Sequence, residues 1–367
     1  MVSVIVRRRS PIQRSRRPSH YAVKGPKWVF MNFRSWIAPA VLLFTTTTLF
    51  AADNLFTIDR TPTGGVKVTV QGKPFADYVI DQGNKPYLWP IYGPTGKAMT
   101  RAYPMEQVDG EQKDHPHHRG LFFGHEHIDD GATDTWQERA TFEEMLKSPK
   151  SEATGRKRLP LVGSEKHREY IELKADGDHA VIVETLDYLD AHGKRLLSEE
   201  RRITFHLVGP MRAIDFDQDL IASDGPVKFE DAKDAGLGIR VPTSMAVDSK
   251  QGGHIINSNG LEDDKAWGKP ANWCEYTGPV DGEKLGIAFF DHLSSYRYPT
   301  IWHVRTYGLF GANPFGSKAF DKDAPARPVE LAAGDRLKLR HRILFHIGDE
   351  KSAKIAEAYE AYAKETR

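Results

Sequence analysis

Hydrophobic and polar positions alternate with period two along three stretches of the chain. In 212–220 (RAIDFDQDL), Ile214, Phe216 and Leu220 fall on one side with Gln218, while Asp215, Asp217 and Asp219 fall on the other. Ile203, Phe205 and Leu207 do the same in 202–207, as do Leu337, Leu339, Ile343, Phe345 and Ile347 in 336–347. Successive strand side chains point to opposite faces, so each stretch predicts a half-buried strand with one solvated face. Further β-like runs occupy 168–174 and 180–189. Asp176-Gly177-Asp178, His192-Gly193-Lys194 and Gly209-Pro210 mark turns between them. Strands joined by short turns, with few helices between them, predict antiparallel sheets. So many strands need stacked sheets to cover their faces.

Two helices are expected. Ile355, Tyr359 and Tyr362 form an apolar stripe at i, i+4, i+7 within 350–365. Residues 134–148 predict a shorter one, followed by a polar, exposed loop (SPKSEATGRKRLP). The fold class is therefore mainly β: an antiparallel multi-strand sandwich with a C-terminal helix, forming a single domain over 53–367.

Residues 1–52 are set apart by composition. They hold nine basic residues and no acidic one, and 36–50 (WIAPAVLLFTTTTLF) is a short apolar run after Arg34. That is the layout of a secretory signal peptide, with Met31 as the expected true start, and it predicts a periplasmic or extracellular protein. The run is shorter than the roughly 20 residues a spanning helix needs, so no stable membrane span is expected after cleavage. The rest of the chain carries 42 basic against 50 acidic residues, which disfavours a nucleic-acid binder. Cys274 is the only cysteine and reads as structural; without disulfides, the core must be large enough to stand alone.

Candidate chemistry concentrates in four blocks: 115–138, 229–240, 267–276 and 290–315. Each mixes titratable groups with large aromatics, as a β scaffold does when its loops build a carbohydrate site. Five of the fifteen histidines lie in HPHHRGLFFGHEH, residues 115–127. Three readings of this stretch stay open. In a metal site, the i, i+2 pairs His115/His117 and His125/His127 would supply ligands to a divalent cation, against the charge of Arg119. In an acid–base site, His117 or His118 would move a proton, Arg119 would hold an oxyanion, and Asp134 or Glu126 would orient an imidazole. In the third, the histidines satisfy backbone groups in an irregular loop.

The candidate catalytic set is His117, His118, Arg119, Asp134, Glu230, His292, His303 and Arg305. Candidate substrate contacts are His115, Trp136, Lys233, Arg240, Trp273, Asp291, Trp302, Tyr307 and Asn313. Of these, Trp273 and Trp302 read more often as core and Asn313 most simply as a turn, while the charges around Glu230 read equally as a surface turn. No organic cofactor is implied. Absence of G-x-S-x-G, HExxH, P-loop and Rossmann patterns lowers the weight of proteolysis, nucleotide hydrolysis and dinucleotide redox chemistry.

HPHHRGLFFGHEH, the Asp134-x-Trp136 pair, GLGIR and YPTIWHVRTYGLFGANPFG together resemble an uncharacterised family of exported bacterial proteins, common in planctomycetes and sometimes filed under the methane-oxygenase name PmoA. The resemblance covers roughly 55–348. A methane monooxygenase subunit of that name spans the membrane several times, whereas this chain has one short apolar segment and a mean hydropathy of −0.52. The β pattern is similar to the galactose-mutarotase-like supersandwich, which implies a sugar-related fold. The expectation is a carbohydrate-acting hydrolase, lyase or epimerase that binds a sugar or other polyol. The alternatives are a glycan or cell-envelope binding module and, less favoured, a metal-dependent oxidoreductase.

Overall fold

The computed structural model describes residues 24–28 and 55–367. The expected signal segment 36–50 and Met31 lie outside the described residues. From residue 55 onward the chain builds two eight-stranded antiparallel sheets. The first runs through Phe56–Arg60, Val66–Val70, Lys73–Val79, Tyr87–Ile91, Leu121–His125, Ala235–Arg240, Leu309–Asn313 and Ile301–Val304. The second runs through His254–Asn257, Trp273–Val280, Glu283–Asp291, Arg336–Ile347, Met211–Ile221, Arg195–Val208, His179–Leu189 and Ser164–Asp176. Among the described residues no helix is long and apolar enough to cross a membrane.

The three alternating stretches are neighbours in the second sheet. Ile214 lies opposite Phe205 on one side and Ile343 on the other, and all three are buried in the core shared by the two sheets. Burying each such side chain contributes about 1.5–3 kcal/mol, so a one-residue slip of register would be costly. The expected solvated face of 212–220 is partly covered. Asp215 is buried because Arg342 and Arg367 both bind it. On the same outer face lies helix α3, Ile355–Tyr362, whose Ile355, Tyr359 and Tyr362 pack on Ala288, Phe290 and Leu344.

The 134–148 helix is shorter than expected: α1 spans Arg139–Met145. The polar stretch after it contains a second helix, α2, Glu152–Arg158. Its sequence lacks an apolar stripe because it docks through backbone. A Cβ on Gly155 would sit 2.9 Å from the Phe142 carbonyl oxygen. Glu152 in its first turn, basic residues in its last and a Glu152–Arg156 pair suit the helix dipole.

An ionic cluster sits inside the core. Arg201 is fully buried and bonds both oxygens of Glu199, at 2.7 and 2.9 Å. Its Nη1 donates to the Tyr78 hydroxyl, which donates in turn to Glu184, so the contact joins the two sheets. Glu165 lies 3.5 Å from Arg201. One guanidinium thus faces three carboxyl groups. Burial, reinforced by Glu199 and opposed by Arg201 and Lys85, pushes the Glu165 carboxyl up to about 8, so it is largely protonated at neutral pH.

Two outcomes follow from this cluster. Arg201→Met leaves Glu199 and Glu184 buried without their counter-charge, and should cost about 3–5 kcal/mol in denaturant unfolding. Glu165 binds its proton more tightly folded than unfolded, so its contribution is complete below its ordinary carboxyl range and lost as pH rises through about 8. Wild type should therefore lose stability relative to Glu165→Gln as pH is raised across that window; parallel profiles would contradict the assignment.

Candidate functional site

The outer face of the first sheet carries a pocket of about 440 Å³. Three of the four blocks line it: His115, His117 and His118; Lys233 and Asp234; His303, Arg305 and Tyr307. The 267–276 block joins through Trp267, which bonds His303. Alternation explains part of this. Trp302 and Val304 of Ile301–Val304 point into the core, so His303 points outward, and Gly238 and Arg240 do so from Ala235–Arg240.

The histidine loop is not extended. His115 has φ +44°, and the His118 amide bonds the His115 carbonyl at 3.0 Å, closing a turn. The turn stacks His115 on His118 at 4.8 Å and on Tyr307 at 5.0 Å. His115 Nδ1 is 2.8 Å from Asp114, which also accepts from Arg101 and Arg240. His118 Nδ1 lies 3.3 Å from Arg240 Nη1. An arginine only donates, so that nitrogen accepts and the His118 proton resides on Nε2. Burial, with the charges of His117 and Arg240, pushes His118 well below the ordinary histidine range. Burial, with Lys85 and His115, does the same for His117. His117 Nδ1 contacts the Thr141 hydroxyl at 3.2 Å, and its Nε2 bonds no described residue.

Asp234 and His303 form the second half. The Trp267 indole N–H donates to His303 Nδ1 at 3.0 Å. An indole never accepts there, so His303 carries its single proton on Nε2, which is 3.4 Å from Asp234 Oδ1. Burial depresses His303 further, against the pull of Asp234. Burial alone would raise the Asp234 carboxyl, but the hydrogen bond from His303 and the charge of Lys233 outweigh it and hold it ionised. His303 therefore orients the Asp234 carboxylate.

Several expected residues lie elsewhere. Arg119 is held by Glu138 through two bonds, at 2.6 and 2.9 Å, outside the pocket lining. Asp134 and Glu126 orient none of the pocket's imidazoles; both accept from Arg158, and Asp134 caps the Gln137 amide. Burial pushes Asp134 up to about 6. Glu230 pairs with Lys228 beside a different hollow. Asp291 and His292 are on the second sheet's side, binding the Thr300 amide and the Glu365 carbonyl. Trp273 packs in the cluster under α3, and Trp302 is core. Trp136 is buried beneath His118, 5.8 Å away. Asn313 clamps the carbonyls of Ala232 and Lys233, so it positions the Asp234 loop from below. Arg240 stands behind His118 and Tyr307.

The metal alternative does not assemble. His125 packs between Phe229 and Phe315, and His127 borders the hollow near Glu230, so neither joins His115 and His117. Among the described residues no group of three or more His, Cys, Asp or Glu is placed to hold a metal ion. Asp234, Trp267, Gln137 and Thr141 stand in or beside the pocket outside the candidate set, although Asp234 belongs to the charged group around Glu230. Asp234 sat in a run of four charges with nothing to rank them, and Trp267 gave no periodic signal.

Fold and pocket together define a two-sheet antiparallel sandwich with a histidine- and carboxylate-bearing cleft on one outer face. Residues 65–360 match a family of unknown function, DUF6807, and the chain belongs to that family. No curated protein matches it. Similar solved structures include the Slr1438 protein from Synechocystis sp. PCC 6803, at 12% identity and a TM-score of 0.36, covering 80% of this chain and 93% of that one. A polysaccharide lyase is 12% identical with a TM-score of 0.30, over 80% of this chain and 33% of its own. A glycoside hydrolase family 97 enzyme from Pseudoalteromonas sp. strain K8 is 9% identical with a TM-score of 0.29, over 79% and 34%. The chain spans about a third of the length of these two enzymes. All three likenesses are remote, and none supplies a residue role.

The tautomer of His303 is testable. Trp267→Phe removes the donor that blocks protonation of Nδ1, so the His303 pKa should rise in an NMR titration of labelled histidine. An unchanged titration would remove the indole bond from the account.

Proposed function

We propose that the protein is an exported enzyme that acts on a carbohydrate or related polyol by proton transfer, as an epimerase or lyase. Asp234 is the base and His117 the partner that donates or receives the second proton. The observation that carries this reading is the presence, in one pocket, of an ionised carboxylate oriented by His303 and a neutral imidazole whose Nε2 is unengaged. Neutral His118, with its proton on Nε2, offers a donor to substrate oxygen that needs no proton transfer of its own.

Hydrolysis fits less well. Glycosidases generally place two carboxyl groups about the scissile bond, and Asp234 is the one carboxylate among the described residues lining this pocket. The PmoA name attached to the sequence resemblance forms no part of this reading.

The test is incubation of the purified full chain with a panel of aldoses, uronates and oligosaccharides in D2O. NMR would follow deuterium uptake, epimer formation and new unsaturation. Asp234→Asn and His117→Gln should each lower turnover about 10²–10⁴-fold while ligand binding persists. Binding without exchange, epimer or elimination product across the panel would identify a binding module and sink the enzymatic reading.

A further inference from the structure

Arginines around the pocket are paired with one exception. Arg240 and Arg101 share Asp114, Arg119 is held by Glu138, and Arg158 by Glu126 and Asp134. Arg305 lines the cleft, yet its guanidinium makes no hydrogen bond or ion pair with any described residue. It is packed against two aromatic rings, with Cζ 5.3 Å from the Trp267 centroid and 5.6 Å from that of Tyr307. Ring faces steady the cation but accept none of its five N–H groups in the manner of an oxygen. A half-buried guanidinium held in place with its donors unspent is a site prepared for an oxyanion.

Charge in the lining points the same way. Lys233 and Arg305 are its two cations and Asp234 its one anion. Lys233 meets Asp234 only loosely, at 3.7 Å, with its side chain 45% exposed. A neutral sugar would leave this surplus positive charge uncompensated on binding. A sugar bearing one oxyanion would neutralise it.

We propose that Arg305, assisted by Lys233, anchors an anionic substituent of the ligand, so that the substrate class of this pocket is an acidic sugar. This rests on the carbohydrate reading above and assigns Arg305 to ground-state recognition. The shared chemistry is an oxyanion on a sugar, which a uronate carboxylate, a sulfate ester and a phosphate ester all provide.

Calorimetric titration of the full chain with hexuronates, hexose sulfates, hexose phosphates, the parent neutral hexoses and a non-sugar carboxylate such as malonate tests the proposal. At least one acidic sugar series should bind on the order of tenfold or more tighter than its neutral parent. Arg305→Gln should erase that preference by weakening acidic-sugar binding about tenfold more than neutral-sugar binding, and Arg305→Lys should retain part of it. Which series leads distinguishes carboxylate from sulfate and phosphate. Equal affinity for neutral and acidic sugars, or equal weakening of both by Arg305→Gln, would overturn the anion anchor while leaving the carbohydrate reading standing. Malonate binding as tightly as every acidic sugar would remove the sugar and the reading it rests on, keeping only the anion contact. No binding by any of these ligands would overturn both.

Discussion

The pocket depends on a bare patch of sheet. Gly124 faces Gly236 across one strand pair, and Gly238 faces Gly311 across the next. A Cβ at Gly124 would lie 2.9 Å from Trp136 Cα, and one at Gly236 would lie 2.0 Å from the Ala312 carbonyl oxygen. Gly236 also has φ +99°, which side-chain-bearing residues rarely adopt. With no side chains to push it away, loop 134–137 rests directly on the strands. Trp136 then reaches beneath His118, and Gln137 and Thr141 arrive at the cleft rim. This is the physical content of the GLGIR motif: two glycines for the floor, two apolar residues for the core, one arginine for the wall.

The same loop is fixed from other directions. Lys85, buried, donates to the carbonyls of Thr135 and Trp136 at 2.9 and 2.8 Å. Asn84 donates to that of Gln137 at 2.7 Å. The Thr135 hydroxyl donates to Glu165, so the wall of the cleft touches the ionic cluster around Arg201. Buried polar groups of this kind are costly unless fully bonded, and once bonded they define one arrangement. Histidines that must hold a tautomer to within a hydrogen-bond length gain from such a support.

Much of the fold was legible because the second sheet has long strands with one inward face, and alternation over ten or more residues is hard to mistake. The first sheet was less legible. Its strands are seven residues long or shorter, and the central ones, with both faces covered, show no polar side. The site was legible as blocks more than as residues. Parity alone would have separated Trp302 from His303, since neighbours on one strand cannot share a face. It could not have separated Glu230 from Asp234, which differ in a loop. Reading His115 and His117 as an extended i, i+2 pair failed because residues 115–118 close a turn, which brings His115 and His118 together instead. Helix α2 was hidden because backbone contact at Gly155 leaves no hydrophobic trace.

The bond from Trp267 to His303 has a consequence for where protons can travel. Trp267 can give its indole hydrogen to a lone pair but cannot take one back, so the line from Asp234 through His303 ends at a wall. A proton arriving on Asp234 has no route into the protein interior along that line. In the proposed reaction its exits would be the bound molecule, the imidazole of His117 or water entering from the mouth. On the reading that Asp234 takes a hydrogen from a substrate, such a blind-ended wire would hold that hydrogen at the pocket instead of passing it inward.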